Sequence, residues 1–107
     1  MKIDIKPLST NEAWQGRRFK SSKYKTFEQE FIYKMPALEL PDSPFKLTLD
    51  FGFSNRGADL DNPVKMSIDC LQKKYKFNDN LIYQLVINKI IVKKGDEFIN
   101  YLFETWN

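Results

Sequence analysis

The segment Phe45–Phe53, which reads FKLTLDFGF, decides the fold prediction because apolar and polar or small residues alternate along it without a break. Phenylalanine or leucine occupies every odd position, and the even positions hold Lys46, Thr48, Asp50 and Gly52. Successive side chains of a β-strand point to opposite faces of a sheet, so this pattern predicts a strand with one buried face. A sheet built on such a strand buries its apolar face under helices.

Helical spacing of apolar residues occurs on both sides of this strand. The first stripe begins after Ser22, a candidate helix cap, and ends before Pro36. Its members are Tyr24, Phe27, Phe31 and Met35. The second stripe follows Asn62, another candidate cap, and Pro63, which suits the first helical position because its missing N–H costs nothing there. Its members are Val64, Ile68, Leu71 and Tyr75.

Three further strands complete the predicted fold. Residues 1–5 and 97–103 alternate in the same way as the central strand, and residues 81–92 are rich in β-branched side chains. Residues 8–16 are typical of a polar loop. The order β-α-β-α-β-β predicts an α/β (α+β) fold in a single domain of 107 residues, with two helices packed on a small mixed β-sheet whose last two strands form a hairpin.

Composition limits the chemistry that this chain can perform. It contains no histidine, which excludes triads with a histidine base and histidine-bound zinc, so any catalysis rests on carboxylates, lysine or a bound metal. Its single cysteine, Cys70, cannot form an internal disulfide. No apolar stretch approaches the roughly 18 to 20 residues of a membrane span. We therefore expect a cytoplasmic protein without a membrane partner.

Positive charges are clustered along the chain, which has 17 Lys and Arg against 14 Asp and Glu. The clusters are Arg17, Arg18, Lys20, Lys23 and Lys25; Lys73, Lys74 and Lys76; and Lys89, Lys93 and Lys94. A solvated surface or the preference of cations for helix ends explains any one cluster equally well, but three in one small domain favour a nucleic-acid partner. The residues expected to contact DNA phosphates are Arg17, Arg18, Lys20, Lys23, Lys73, Lys74 and Lys76.

Two acids, Asp59 and Asp61, lie in the loop that leads into the second helix. One of them is explained by a cap at the positive helix end, but two such close carboxylates repel unless a cation such as Mg²⁺ or Mn²⁺ lies between them. Lys65, four residues after Asp61, either pairs with it or stabilises charge on a phosphate. Asp79 is the third candidate acid, and it lies in the break after the helix, where it could also form a turn.

The stretch from residue 57 to 89 resembles the core of the RusA-type Holliday-junction resolvases, and it reads GADLDNPVKMSIDCLQKKYKFNDNLIYQLVINK. It has a D-L-D-N box, a lysine three residues after the Asn, a helix with a further Asp, a break containing an acid and a strand with an internal lysine. Residues 7–24, PLSTNEAWQGRRFKSSKY, are similar to the opening of that family. The resemblance implies that Asp59, Asp61 and Asp79 are essential acids that bind metal and that Lys65 is the essential lysine.

The function that this resemblance implies is a Mg²⁺-dependent endodeoxyribonuclease, with Mn²⁺ as a possible substitute, that resolves four-way junctions or other branched DNA as a homodimer in a bacterial or phage-infected cell. One alternative is a non-catalytic DNA-binding accessory protein of a phage or mobile element, whose acids only cap a helix. A second alternative, a protein-interaction module, is disfavoured by the basic clusters.

A continuous helix over residues 63–75 would hold its ends roughly 20 Å apart. We therefore also expect Asp79 to complete the site of the other subunit.

Overall fold

A computed structural model describes residues 1–8, 14–15 and 19–107. In these residues two helices, α1 (Ser22–Lys34) and α2 (Val64–Tyr75), accompany six strands. The strands are β1 (Lys2–Ile3), β2 (Trp14–Gln15), β3 (Phe19–Lys20), β4 (Phe45–Phe53), β5 (Ile82–Ile91) and β6 (Phe98–Thr105). The predicted α+β class is therefore confirmed, and the short β2–β3 pair adds a ribbon in a stretch that the sequence pattern did not mark as strand. The rest of the predicted loop, residues 9–13 and 16, lies outside the described residues.

Strand β4 lies inside a four-stranded mixed sheet with the order β1-β6-β4-β5. It pairs in parallel with β5 and antiparallel with β6. All five of its odd-numbered side chains are buried, and they belong to the same core as the apolar residues of the two helices. The alternation that predicted a half-buried strand is confirmed over the whole of β4.

The predicted hairpin of the last two strands is wrong. Strands β5 and β6 lie on opposite sides of β4, and each of them pairs with β4. Strand β4 presents the most continuous apolar face. Burial of that face is most favourable at the centre of the sheet, where both edges of the strand are hydrogen-bonded. The connection over residues 92–97 crosses the end of β4 and has to span only two strand spacings of about 4.8 Å each.

Asp50 ties three strands together on the face of the sheet opposite the helices. Its Oδ1 accepts a hydrogen bond from Asn88 Nδ2 of β5 at 2.8 Å, and its Oδ2 accepts one from Asn100 Nδ2 of β6 at 2.9 Å. Asn88 and Asn100 are also the residues that pair with Asp50 in the two ladders. The bridge therefore favours one register of β5 and β6 against β4.

The ends of α1 show how the chain enters and leaves a helix. Ser21, and not Ser22 as predicted, is the N-cap, because its Oγ accepts a hydrogen bond from the Tyr24 amide at 3.1 Å. The helix ends at Lys34, before Pro36, as the sequence predicts. Among the described helices, none has the length and the apolar character needed to cross a membrane.

Glu28 connects α1 to both β3 and α2. Its Oε2 lies 2.8 Å from Lys20 Nζ and 2.8 Å from Lys73 Nζ. Burial opposes the charged form of this carboxyl, but the hydrogen bonds from the two ammonium groups outweigh that effect and hold the pKa of Glu28 below its ordinary value. The bond to Glu28 is also the main reason that the pKa of Lys73 is raised.

We expect Glu28→Gln to destabilise the fold by about 1 kcal/mol at neutral pH, the size of a partly exposed charge-assisted pair. A carboxyl whose pKa is lowered by folding contributes stability above its unfolded pKa, near 4.5, and loses it as the pH falls through the lower folded value. The free energy of unfolding of both proteins, measured with urea across the acid range, should therefore converge at low pH.

The control for this experiment is Glu30→Gln. The carboxylate of Glu30 lies 3.4 Å from Lys34 Nζ in an exposed pair along α1, so its loss should change the unfolding free energy much less. If the unfolding free energies of wild type and Glu28→Gln differed by the same amount from neutral to strongly acidic pH, the role given to the two lysine bonds would be contradicted.

Candidate functional site

A surface cavity of about 380 Å³ lies beside α2, where the helix faces β5 and the break that precedes β5. Its charged lining residues are Asp61, Lys65, Asp69 and Asp79. The rest of the lining is apolar and consists of Val64, Ile68 and Ile87. The structure therefore brings together Asp61, Lys65 and Asp79 from the predicted catalytic set and adds Asp69 to them.

The helix places three of these side chains on one face. Asp61 lies in the turn before α2, and Lys65 and Asp69 follow at intervals of four residues, which is the spacing of neighbours along one side of a helix. Pro63 holds the N-cap position and forms no side-chain capping bond, so the alternative in which Asp61 or Asn62 caps the helix is wrong. Within the described part of the chain, Asp61 and Lys65 do not form an ion pair either.

The chain turns back after α2 and returns Asp79 to the cavity. Lys76 adopts the left-handed conformation, with φ 57° and ψ 53°, and reverses the chain direction. The backbone amide of Asp79 then donates a hydrogen bond to Gln72 Oε1 at 2.8 Å, beside the last turn of the helix. Asp61, before the first turn of α2, and Asp79, beside its last turn, therefore line one cavity from opposite ends of the helix. Completion of the site by Asp79 of the other subunit stays a prediction.

Asp59 faces a different space from Asp61. It lines a cavity of about 270 Å³ together with Lys6, Asn55 and Glu97, and its Oδ2 accepts a hydrogen bond from Asn62 Nδ2 at 3.3 Å. The predicted three-carboxylate centre is thus divided between two cavities. Among the residues that the structure describes, no three acid or thiol side chains are grouped closely enough to hold one metal ion.

Asp61 and Asp79 each offer the kind of oxygen ligand that Mg²⁺ commonly uses in proteins. This ion is usually bound through one or two carboxylates, with waters and substrate phosphates completing its coordination. Both side chains are exposed at the cavity, and in the described residues neither is engaged in an ion pair. The hard oxygen donors that a magnesium ion requires are therefore available on this side of α2.

Asp69 is the lining residue to which the sequence interpretation gave no role. Its Oδ2 accepts a hydrogen bond from the buried Tyr24 hydroxyl at 3.3 Å, and Gln72 Nε2 lies 3.5 Å from its Oδ1. Gln72 in turn accepts the amide of Asp79, so a polar chain runs from α1 through α2 to the break. The signal that finds Asp69 is its spacing of four residues from Lys65.

A second surface cavity, of about 340 Å³, adjoins the first at Asp69 and carries positive charge. Lys20, Lys73 and Lys76 line it, and all three belong to the predicted set of DNA contacts. Because Lys20 and Lys73 share the negative charge of Glu28, those three groups together retain one positive charge; Lys76 adds another, and the Asp69 carboxylate offsets one of the two. Acidic and basic lining residues therefore alternate along one side of α2.

The other predicted DNA contacts are more dispersed. Lys23 lines a separate cavity with Lys6 at the start of α1. Lys74 lies in the last turn of α2, where a positive charge also interacts favourably with the helix dipole. Arg17 and Arg18 lie outside the described residues. The structure thus gathers part of the predicted DNA-binding set beside the acidic cavity and leaves the rest apart from it.

Cys70 takes no part in the chemistry of these cavities. Its side chain is fully buried in the core, and burial raises the pKa of the thiol to about 12. A thiol with that pKa is protonated at neutral pH and is therefore a poor nucleophile and a poor metal ligand. The reactive groups of this region remain carboxylates and lysines.

Comparison with known proteins adds no relative to this picture. No protein-family model matches the chain, and no curated protein matches it. The likeness of residues 57–89 to the RusA-type resolvases therefore stays a resemblance between sequences. The features from which a function can be argued are the side chains around the two adjoining cavities.

Proposed function

We propose that this chain is a metal-dependent endodeoxyribonuclease that hydrolyses phosphodiester bonds in branched DNA, Holliday junctions among them, during recombination and repair. The observation that carries the proposal is the cavity shared by Asp61, Lys65 and Asp79, next to a second cavity lined by lysines. The D-L-D-N box and its spaced lysine support it through their resemblance to the RusA-type resolvases. The absence of histidine is compatible with a site built from carboxylates and lysine.

The residues of the acidic cavity take distinct roles in this proposal. Asp61 and Asp79 would hold Mg²⁺, or Mn²⁺ in its place. The resemblance to the RusA-type resolvases implies that Asp59 is also a metal ligand, although its side chain lines a different cavity. Bound Mg²⁺ supplies Lewis-acid polarisation of a phosphoryl oxygen and lowers the pKa of bound water. The Lys65 ammonium, exposed and free of ion pairs in the described residues, stabilises negative charge that develops on a phosphate.

Lysines next to the acidic cavity would hold the DNA backbone. Lys20, Lys73 and Lys76 lie around the adjoining cavity, where contacts with phosphates position a duplex without reading its sequence. A junction is resolved by nicks in two strands, and a two-fold homodimer presents two such sites. The homodimer is therefore part of the proposal, and the ten-residue edge strand β5 offers a surface for association.

The accessory-protein alternative is favoured by one observation, which is that Asp59 and Asp61 line two different cavities. A protein of that kind binds branched DNA through the lysines but does not cut it. Nicking of a synthetic four-way junction with and without Mg²⁺ separates the two functions, because only the nuclease converts the junction into nicked products.

We expect Asp61→Asn and Asp79→Asn each to reduce Mg²⁺-dependent nicking of a four-way junction by about two orders of magnitude or more, since each change removes an anionic oxygen from the cavity. Junction binding should be retained because, in this proposal, the lysines and not the carboxylates hold the phosphates. Cutting rates are measured under single-turnover conditions, and affinity by gel shift. Asp42→Asn, which makes the same charge change at an exposed position outside both cavities, is the matched control.

Asp59→Asn and Lys65→Ala should likewise reduce nicking while junction binding is retained. Wild-type nicking by any one of these four variants, with metal supplied, would remove that residue from the site. If the aspartate variants lost both cutting and binding, these acids would be needed for folding, and their assignment as metal ligands would be contradicted.

Junction affinity should fall steeply as salt rises, because bound lysine and arginine side chains release counterions from DNA. Replacing Arg17 and Arg18 by Gln should weaken binding and reduce the slope of log affinity against log salt by roughly 0.9 for each phosphate that is no longer neutralised. The slope is measured by fluorescence anisotropy on a labelled junction. The control is Lys34→Gln, because the Lys34 ammonium already donates a hydrogen bond to the Asp4 carbonyl oxygen at 2.6 Å. An unchanged slope in the Arg17 and Arg18 variant would identify that cluster as a solvated surface.

A further inference from the structure

Lys89 is bonded to the backbone of the loop that joins β4 to α2. It lies near the end of β5, and its side chain extends to residues 56–58 of that loop. Its Nζ donates one hydrogen bond to the Arg56 carbonyl oxygen at 2.7 Å and another to the Ala58 carbonyl oxygen at 2.6 Å. Distances of this size are typical of charge-assisted hydrogen bonds, which are stronger than those between neutral groups.

The bond to Ala58 acts on the peptide unit that leads directly into Asp59. A peptide bond is planar, so the Ala58 carbonyl and the Asp59 amide lie in one rigid plane, and holding the carbonyl oxygen fixes the direction in which the chain continues. The preceding part of the loop is closed by Asn55, whose side chain accepts the Gly57 amide at 2.8 Å and whose carbonyl accepts the Ala58 amide at 3.1 Å. Lys89 therefore connects this turn to the sheet.

Strand β5 is itself held firmly on both sides of Lys89. On one side, Asn88 bonds to Asp50 at 2.8 Å on the opposite face of the sheet. On the other, the Val92 amide donates a hydrogen bond to the Phe53 carbonyl at 2.8 Å, where β4 ends and the loop begins. The ammonium group of Lys89 is thus carried by a backbone whose register is set independently of the loop.

We propose that Lys89 is a positioning residue that sets the conformation of the loop carrying Asp59 and Asp61, and that it does not act as a DNA contact. The inference rests on the proposed function for the use of the two acids in cutting, but the loop contact itself does not depend on that function. Two of the three N–H donors of the ammonium group are already occupied by the carbonyls.

The test compares Lys89→Met with Lys94→Met. Both changes remove one positive charge and keep an apolar stem, but Lys94 forms no hydrogen bond or ion pair among the described residues. Amide hydrogen exchange is followed in residues 54–62 and, as an internal reference, in β4. In Lys89→Met the loop amides should exchange on the order of tenfold faster than in wild type, because only the loop loses its anchor. The exchange rates of the β4 amides should not change.

Activity gives a second and separate readout. At saturating junction and metal, Lys89→Met should cut about tenfold more slowly or worse, in excess of any loss in Lys94→Met, while its junction affinity changes no more than that of Lys94→Met. Lys89→Arg should restore loop protection and most of the cutting, since a guanidinium group also donates to two carbonyl oxygens.

The outcomes separate this inference from the proposed function. If the wild-type protein does not cut any junction, the proposed function fails, and the exchange measurement alone decides the role of Lys89. Loop exchange equal to wild type in Lys89→Met, or exchange that rises equally in β4 and the loop, overturns the inference. Equal loss of affinity and cutting in Lys89→Met and Lys94→Met identifies Lys89 as one more DNA contact and overturns it as well.

Discussion

Burial of one face of β4 is the constraint on which the rest of this structure depends. Five apolar side chains on that face leave water only if helices cover them and neighbouring strands pair with both edges. Each of these requirements places part of the candidate site. Covering the face brings α2 alongside β5, and pairing the edges puts the end of β5 next to the loop that follows β4. The two adjoining cavities and the anchored loop are thus located by the packing of a single strand.

Local periodicity predicts the elements of this fold but not their partners. The alternation in β4 and the apolar stripes of the helices are properties of neighbouring residues, and the structure confirms them. Strands β5 and β6 both pair with β4 and not with each other, and that arrangement is decided by burial across the whole sheet, which no local pattern contains. The same limit applies to Ser21 and Ser22, because two adjacent serines are equivalent caps until the direction of the incoming chain is known.

The candidate site was predictable to the extent that it follows helical spacing. Asp61 and Lys65 lie on one face of α2 because they are four residues apart, and Asp69 continues the series. The return of Asp79 depends on the left-handed conformation of Lys76, a position where glycine is the usual signal and where this chain has none. The division of Asp59 from Asp61 depends on an irregular turn, in which neighbouring side chains have no fixed relative direction.

Strand β1 pairs with β6, so the sheet joins residues from the two ends of the sequence, with Ile3 opposite Ile99. A ribosome releases β4 well before it has synthesised β6, and until then the strand with the most completely buried apolar face has at least one unpaired edge. Contacts of such high sequence separation form late, and an open apolar edge is a site of aggregation. The second edge of β4 is therefore protected only when β6 has emerged, and a message truncated within the turn after β5 yields a polypeptide suited to capture by chaperones.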